Sequence, residues 1–204
     1  MSVTVLPEAI TVQTLAGHDR FAPSTSGRFG EIREHAVRLF ALKGFGSVSM
    51  RDLAASVGLT AGSLYNHVES KEALLLEFVE ELYEVLCASG KRTIKTLPTS
   101  GYLRALIGQH LALHESMAAH FVLAETEARY LSEEHRRRAG AARHRYARLY
   151  VVHCAADTAM GLSIVALLNS APAWLFGLSQ DAVKRVDLAF HVVRELHLAD
   201  LPSK

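Results

Sequence analysis

Ser49-Met50-Arg51-Asp52-Leu53-Ala54-Ala55-Ser56-Val57-Gly58-Leu59-Thr60-Ala61-Gly62-Ser63-Leu64-Tyr65-Asn66-His67 is the stretch that decides the fold. Ser49 can cap a short helix from Met50 to Val57, whose Leu53, Ala54 and Val57 form an inner side. Gly58 follows, where a left-handed residue that closes a helix costs least as glycine. Thr60 then caps a very short helix through about His67, with Leu64 as its inner residue. Two such helices crossing steeply through a small-residue turn make a helix-turn-helix, and Ala54 is small where they touch. Leu53, Val57, Leu59 and Leu64 can share a miniature core with Phe40 and Phe45. The second helix then presents Thr60, Ala61, Gly62, Ser63, Tyr65, Asn66 and His67, which are small, polar or hydrogen-bonding, as suits a helix in a major groove. Tyr65, His67 and Lys71 are expected to reach phosphate oxygens.

Working outward, Ile32, Ala36, Leu39 and Phe40 fall on one face of a preceding helix that starts near Phe29 and stops at Gly44. Ser70 caps a long fourth helix with Leu74, Phe78, Leu82 and Val85 inward and Gly90 as its expected end. Helical patterns continue over Tyr102 to about Met117 and over His120 to Tyr130. They go on from Ser132 to about Leu149, from Asp157 to Ser170, and from Ser179 onward with Val183, Val186, Ala189, Phe190 and Val193 inward. Tyr150-Val151-Val152-His153-Cys154 reads as a short extended link. The whole reading is all-α.

The blocks Ala36–Phe40, Gly44-Phe45, Ser49–Ala54, Gly58–Val68 and Ser70–Leu74 fall in register along residues 36–74. Here Gly62-Ser63-Leu64-Tyr65-Asn66-His67, followed by Ser70-Lys71-Glu72, is highly specific. This stretch resembles the tetracycline-repressor (TetR) family of bacterial transcription regulators. Residues 1–27 mix Thr, Ser, Pro and Gly without helical periodicity and read as a flexible arm. The resemblance implies a three-helix DNA-binding domain over 28–72 and a helical effector-binding and dimerisation domain over 73–204. It also implies a homodimer on a palindromic double-stranded operator, released by a small molecule, with Arg28, Ser49 and Arg51 joining the second helix at the DNA. Two departures stand out: Ala61 and Glu69 occupy positions where the family often has basic residues. Residues 28–71 carry six Lys or Arg against four Asp or Glu, a balance of +2. Phosphate attraction per half-site is therefore modest, and a dimer is needed.

Composition agrees with a helical regulator. The chain has 204 residues, half of them hydrophobic, and a net charge of +1, so a core is available and a polybasic coat is excluded. Cys87 and Cys154 make no CxxC pair, which fits a reducing cytoplasm. The first 19 residues hold no Lys or Arg, so no secretory n-region is read there. Thr158 to Gln180 is an uncharged run of 23 residues, but Asn169, Pro172 and several serines argue for a buried helix and loop rather than a membrane span. No GxSxG or GxxxxGK[ST] occurs, and Glu125 and Glu127 are splayed by their spacing, so no enzyme chemistry and no catalytic residue is expected.

Residues 125–150 add a looser resemblance to TetR members that sense acyl-CoA thioesters, carried by Glu125, Arg129-Tyr130-Leu131-Ser132-Glu133 and Arg145-Tyr146. Such an effector needs an apolar tunnel, for which Leu106, Phe121 and Trp174 are candidates, and cations, for which Arg129 or the Arg136–Arg148 series are. Glu125, His110, Tyr146 and Asn169 complete the expected ligand set. No cofactor is expected beyond a small-molecule effector such as an acyl-CoA or a fatty acid. His110 and His114 share a helix face at a chelating spacing, so a metal-sensing regulator is a second reading, although no metal site is assigned. A helical binding protein without DNA binding is the third. The last two helices are the expected dimer face.

Overall fold

The computed structural model describes residues 27–154 and 157–199. All but Gly27 of the expected N-terminal arm lies outside them. The elements are α1 (Arg28–Lys43), a 3₁₀ turn (Phe45–Ser47), α2 (Met50–Ser56), α3 (Ala61–Tyr65), α4 (Lys71–Lys95), a 3₁₀ turn (Thr99–Gly101) and α5 (Tyr102–Ser116). Then come α6 (Ala118–Val122), a π-helical turn (Leu123–Glu127), a 3₁₀ turn (Ala128–Tyr130), α7 (Glu133–Cys154), α8 (Thr158–Asn169), α9 (Ala171–Trp174) and α10 (Ala182–Ala199). Among the described residues there is no strand.

These helices pack as two compact units. Of the described residues, one unit contains 27–85 together with Ser116–Ala142, and the other contains Leu86–Glu115 with 143–154 and 157–199. Packing thus draws the division differently from the expected boundary at 72/73, because Ser116–Ala142 joins the helix-turn-helix unit.

In the first unit, Ile32, Ala36, Val37 and Phe40 of α1 are buried at helical spacing. They meet an α4 whose Leu74, Leu75, Leu76, Phe78, Val79, Leu82 and Tyr83 are buried nearly all round. Phe40 packs edge-on against both Phe45 and Phe78. Gly44 ends α1 at φ +81°, its N–H reaching Phe40 O at 2.9 Å.

The second unit corrects three expectations. Gly90 does not end α4, which continues to Lys95. A Cβ on Gly90 would meet Leu149 Cδ1 at 2.7 Å and Leu106 Cδ2 at 3.1 Å, so this glycine serves close helix packing. Nor is Tyr150–Cys154 an extended link, since α7 runs through it with Tyr150 fully buried. Tertiary contact overrides the weak helix propensity of Val151 and Val152, with α8 crossing so closely that a Cβ on Gly161 would meet Val151 Cγ2 at 2.9 Å. Finally, α10 starts at Ala182 rather than Ser179, because Asp181 Oδ1 accepts from the N–H groups of Val183 (2.8 Å) and Lys184 (3.3 Å). Its Ala189 and Val193 are buried, whereas Val183, expected inward, is exposed. Asp157, the expected start of the helical pattern, caps α8 by accepting from Met160 N at 2.7 Å. No single described helix is long and apolar enough to cross a membrane.

Candidate nucleic-acid interface

The helix-turn-helix forms by the local rules its sequence advertises. Ser49 and Asp52 make a reciprocal capping box on α2: Asp52 N donates to Ser49 Oγ (3.1 Å) and Ser49 N to Asp52 Oδ2 (2.8 Å). The Ser49 hydroxyl also donates to that carboxylate, and these bonds lower the Asp52 pKa. Gly58 takes φ +68°, and Leu59 N reaches back to Ala54 O at 2.8 Å, closing α2 in a left-handed turn. Thr60 caps α3 by accepting from Ser63 N at 3.1 Å. Leu53, Ala54 and Leu64 are essentially without solvent contact, so α2 and α3 are held on one small apolar base.

This base leaves one face of α3 outward. Tyr65 is 56% exposed, and Thr60, Gly62, Asn66 and His67 are exposed as well. Ala61 and Ser63 are half-buried, with the Thr60 hydroxyl donating to Ser63 Oγ at 3.0 Å. Ser49 and Arg51 are exposed at the start of α2.

Two residues expected at the DNA, Lys71 and Arg28, make contacts within the protein. The Lys71 ammonium turns inward, donating to Phe45 O at 2.7 Å and Val48 O at 2.8 Å and lying 4.1 Å from the Phe45 ring centroid. Desolvation there lowers its pKa. Arg28 donates to Val57 O, tying α1 to the end of α2, and pairs with Glu31 at 2.7 Å. Arg33 is held by Glu77 and Glu81, and Arg38 by Glu34. Of the six cations in residues 28–71, only Lys43 and Arg51 carry neither an ion pair nor an inward hydrogen bond among the described residues.

The residues expected to meet an effector are divided between the two units. Phe121, Glu125 and Arg129 belong to the helix-turn-helix unit. There Phe121 is buried, Glu125 is exposed, and Arg129 is exposed with its guanidinium 5.1 Å from the Tyr130 ring centroid. Leu106, His110, Tyr146, Asn169 and Trp174 belong to the other unit. His110 Nδ1 lies 2.9 Å from Tyr146 Oη, which lies 3.0 Å from Tyr150 Oη, and all three residues are fully buried. His114 donates from Nε2 to Leu168 O at 2.9 Å. Burial pushes His110 well below the usual histidine range and takes His114 down to about 4, so both rings are neutral at pH 7. Asn169 is buried on α8, and half-buried Trp174 donates from Nε1 to Leu167 O at 3.0 Å.

In the arginine series, Arg136 donates to Leu131 O and Arg138 forks onto Glu80, while Arg145 and Arg148 stay exposed. Among the described residues no group of three or more His, Cys, Asp or Glu is placed to hold a metal ion.

Glu127, named in the sequence only for its spacing from Glu125, is not among the expected site residues. It is buried and accepts from Phe45 N at 3.0 Å. Its spacing from Glu125 announces that the two carboxylates diverge, but not which of them turns inward.

A capped, outward-facing α3 on an apolar three-helix base defines a helix-turn-helix protein of the DNA-binding kind. The family model of bacterial regulatory proteins of the tetR family matches residues 32–78, which covers α1 through the first third of α4. Over those residues the chain is similar to the TetR family of regulators. It is 35% identical over 127 residues to the transcriptional repressor KstR2 of Rhodococcus jostii, covering 55% of this chain and 61% of that protein. It therefore spans about three-fifths of the length of the curated relative it matches. A crystal structure of a tetR-family regulatory protein from Rhodococcus RHA1 superposes with a TM-score of 0.73 at 25% identity, over 83% of this chain and 98% of that one. The crystal structure of AibR in complex with isovaleryl coenzyme A and operator DNA shares the fold, with a TM-score of 0.70 at 19% identity, over 81% and 97% of the two chains.

Proposed function

We propose that this protein is a ligand-responsive transcriptional repressor that holds a palindromic operator as a homodimer and leaves it when an apolar or acyl-CoA-like effector binds. The observation that carries the reading is α3 itself. Leu64 is wholly buried while Tyr65, Asn66 and His67 stand exposed beside it, so the helix is anchored from below and free on the side a major groove would meet. The relative KstR2 is a named repressor, which supports repression over activation. AibR was crystallised with an acyl-CoA and an operator, which supports that effector class.

On this reading the arm and the first helices touch DNA, and the remaining helices take up effector and the second protomer. Arg145 and Arg148 are the exposed cations suited to an anionic head, and the neutral His110–Tyr146 pair suits an uncharged polar group. Release requires that the effector bind the DNA-free state more tightly than the bound one.

The test is fluorescence anisotropy on a labelled duplex selected by the protein from a random pool, followed by addition of isovaleryl-CoA, longer acyl-CoAs and free fatty acids. A selected palindrome, at least tenfold loss of affinity in Tyr65→Ala and release by one acyl-CoA support the reading. Failure to select any duplex at low salt overturns it.

A further inference from the structure

We propose that Glu127 and Lys71 are positioning residues for DNA reading: they grip the backbone of Phe45 from its two ends and so set the angle at which α2 and α3 are presented. The proposal rests on the DNA-binding reading above.

Phe45 opens the 3₁₀ turn between α1 and α2, and only Val48 and Ser49 separate that turn from α2. Its N–H donates to Glu127 Oε2 at 3.0 Å, and its C=O accepts from Lys71 Nζ at 2.7 Å. The same ammonium takes Val48 O at 2.8 Å, the last carbonyl before the Ser49 cap. Above the turn, the Tyr130 ring packs 5.4 Å from the Phe45 ring, and a Cβ on Gly46 would meet Tyr130 Oη at 2.8 Å. The turn is thus gripped on its donor, on two acceptors and on its ring face, by residues far away in sequence.

Packing alone does not ask for this arrangement. A carboxylate with 8% exposure loses most of its hydration, and the Phe45 N–H it meets is buried as well, so the pair carries a desolvation cost that an apolar contact at this place would not. Glu127 is met by Phe45 N, while the Thr126 hydroxyl, whose single proton is shared with Val122 O at 2.7 Å, lies 3.1 Å from Oε1. It closes a π-helical turn, Leu123–Glu127, a geometry that is rare and concentrates at functional sites. Returning that turn to α-helical register would rotate Glu127 by about 100° and withdraw its carboxylate from Phe45. Because α2 leads through Gly58 directly into α3, a small change at Phe45 is carried to Tyr65, Asn66 and His67. A charge-assisted hydrogen bond to backbone is short-ranged and directional, so it fixes an angle where apolar contact would allow sliding.

The experiment uses the full chain and the duplex it selects from a random pool, with a scrambled duplex as control. Affinities of wild type, Glu127→Ala, Glu127→Gln and Lys71→Met are measured across a salt series. Exchange of the Phe45 amide hydrogen is followed in the free protein. Glu127→Ala is expected to lose roughly tenfold on the selected duplex and nothing on the scrambled one. Its slope of log affinity against log salt is expected to stay at the wild-type value, since no phosphate contact is removed. Glu127→Gln keeps an acceptor oxygen and recovers most of the loss. Lys71→Met keeps the apolar stem and reproduces the specific loss at an unchanged salt slope. Phe45 amide exchange is expected to quicken at least tenfold in Glu127→Ala.

Equal loss on both duplexes, an unchanged selected-duplex affinity, or a salt slope shallower by about one in Lys71→Met (the mark of a phosphate ligand) overturns the proposal. If wild type selects no duplex, the DNA-binding reading fails by itself. An unaltered Phe45 amide in Glu127→Ala then still removes the grip.

Discussion

Gly58 and His114 show how single residues constrain this chain from opposite directions. Gly58 sits at φ +68° with nothing within 4 Å of where a Cβ would stand, so a substitution there is strained through the backbone alone. Gly58→Ala should cost about 1 kcal/mol, seen as a lower urea midpoint at an unchanged m-value. His114 instead constrains by burial. Its ring titrates near pH 4 in the folded unit against 6.5 for the free side chain, so the unfolded chain binds the extra proton between those values. The stability tied to its neutral form is complete above pH 6.5 and falls as the pH drops toward 4. From this ring alone the loss is about 3 kcal/mol. His110 is shifted in the same direction and adds to it. Denaturant titrations at pH 7 and pH 4.5 should show the drop, and His114→Gln, which keeps a donor for Leu168 O, should flatten it. A wild-type stability independent of pH over that interval would contradict the neutral buried ring.

At the scale of elements, the parts legible in the sequence are those whose cause is local. Ser49, Gly58, Thr60 and Asp157 announce their roles because a cap or a left-handed turn is decided within four residues. Ser49→Ala removes one half of the α2 capping box and should cost about 1 kcal/mol in thermal unfolding monitored by circular dichroism. What escaped the sequence is what distant segments decide. Gly90 reads as a helix end, yet it lies inside α4 because Leu106 and Leu149 approach there. Val151-Val152 looks like a strand, but contact with Gly161 keeps it helical. The segment His120–Tyr130, read as one helix, is broken into α6, a π turn and a 3₁₀ turn. The candidate interface divides the same way. Tyr65 at the end of α3 and Asn66 and His67 just past it are exposed next to the buried Leu64, as the local pattern lets one expect, whereas the bonds of Lys71 and Arg28 to the carbonyls of Phe45, Val48 and Val57 join segments distant in sequence and could not be read from it.

At the scale of the molecule, charge and exposed apolar surface are the two features through which the proposed homodimer can be tested. With Arg28, Arg33 and Arg38 in ion pairs and Lys71 turned inward, Lys43 and Arg51 are the cations left to a helix-turn-helix among its described residues. If both meet phosphates in each of two protomers, the slope of log affinity against log salt should be about −4, and a single protomer would give about half that. Binding at physiological salt then depends on two half-sites engaged together, about 34 Å apart. A surface suited to joining protomers lies on α10. Leu188 and Leu196 are exposed and Val192 half-exposed, four residues apart in turn, so they form one stripe beside the buried Ala189 and Val193. An apolar stripe left on a helix whose other face is already packed is covered in a soluble dimer by its own symmetry mate. Leu188→Glu with Leu196→Glu places like charges across such a two-fold contact while leaving the inward face of α10 untouched. Light scattering should then report a monomer of about 22 kDa with wild-type helicity. The same variant should lose at least tenfold on the selected palindrome and show the halved salt slope. A variant that remains dimeric would move the protomer contact off this stripe, and a monomer that keeps full operator affinity would remove the need for the pair.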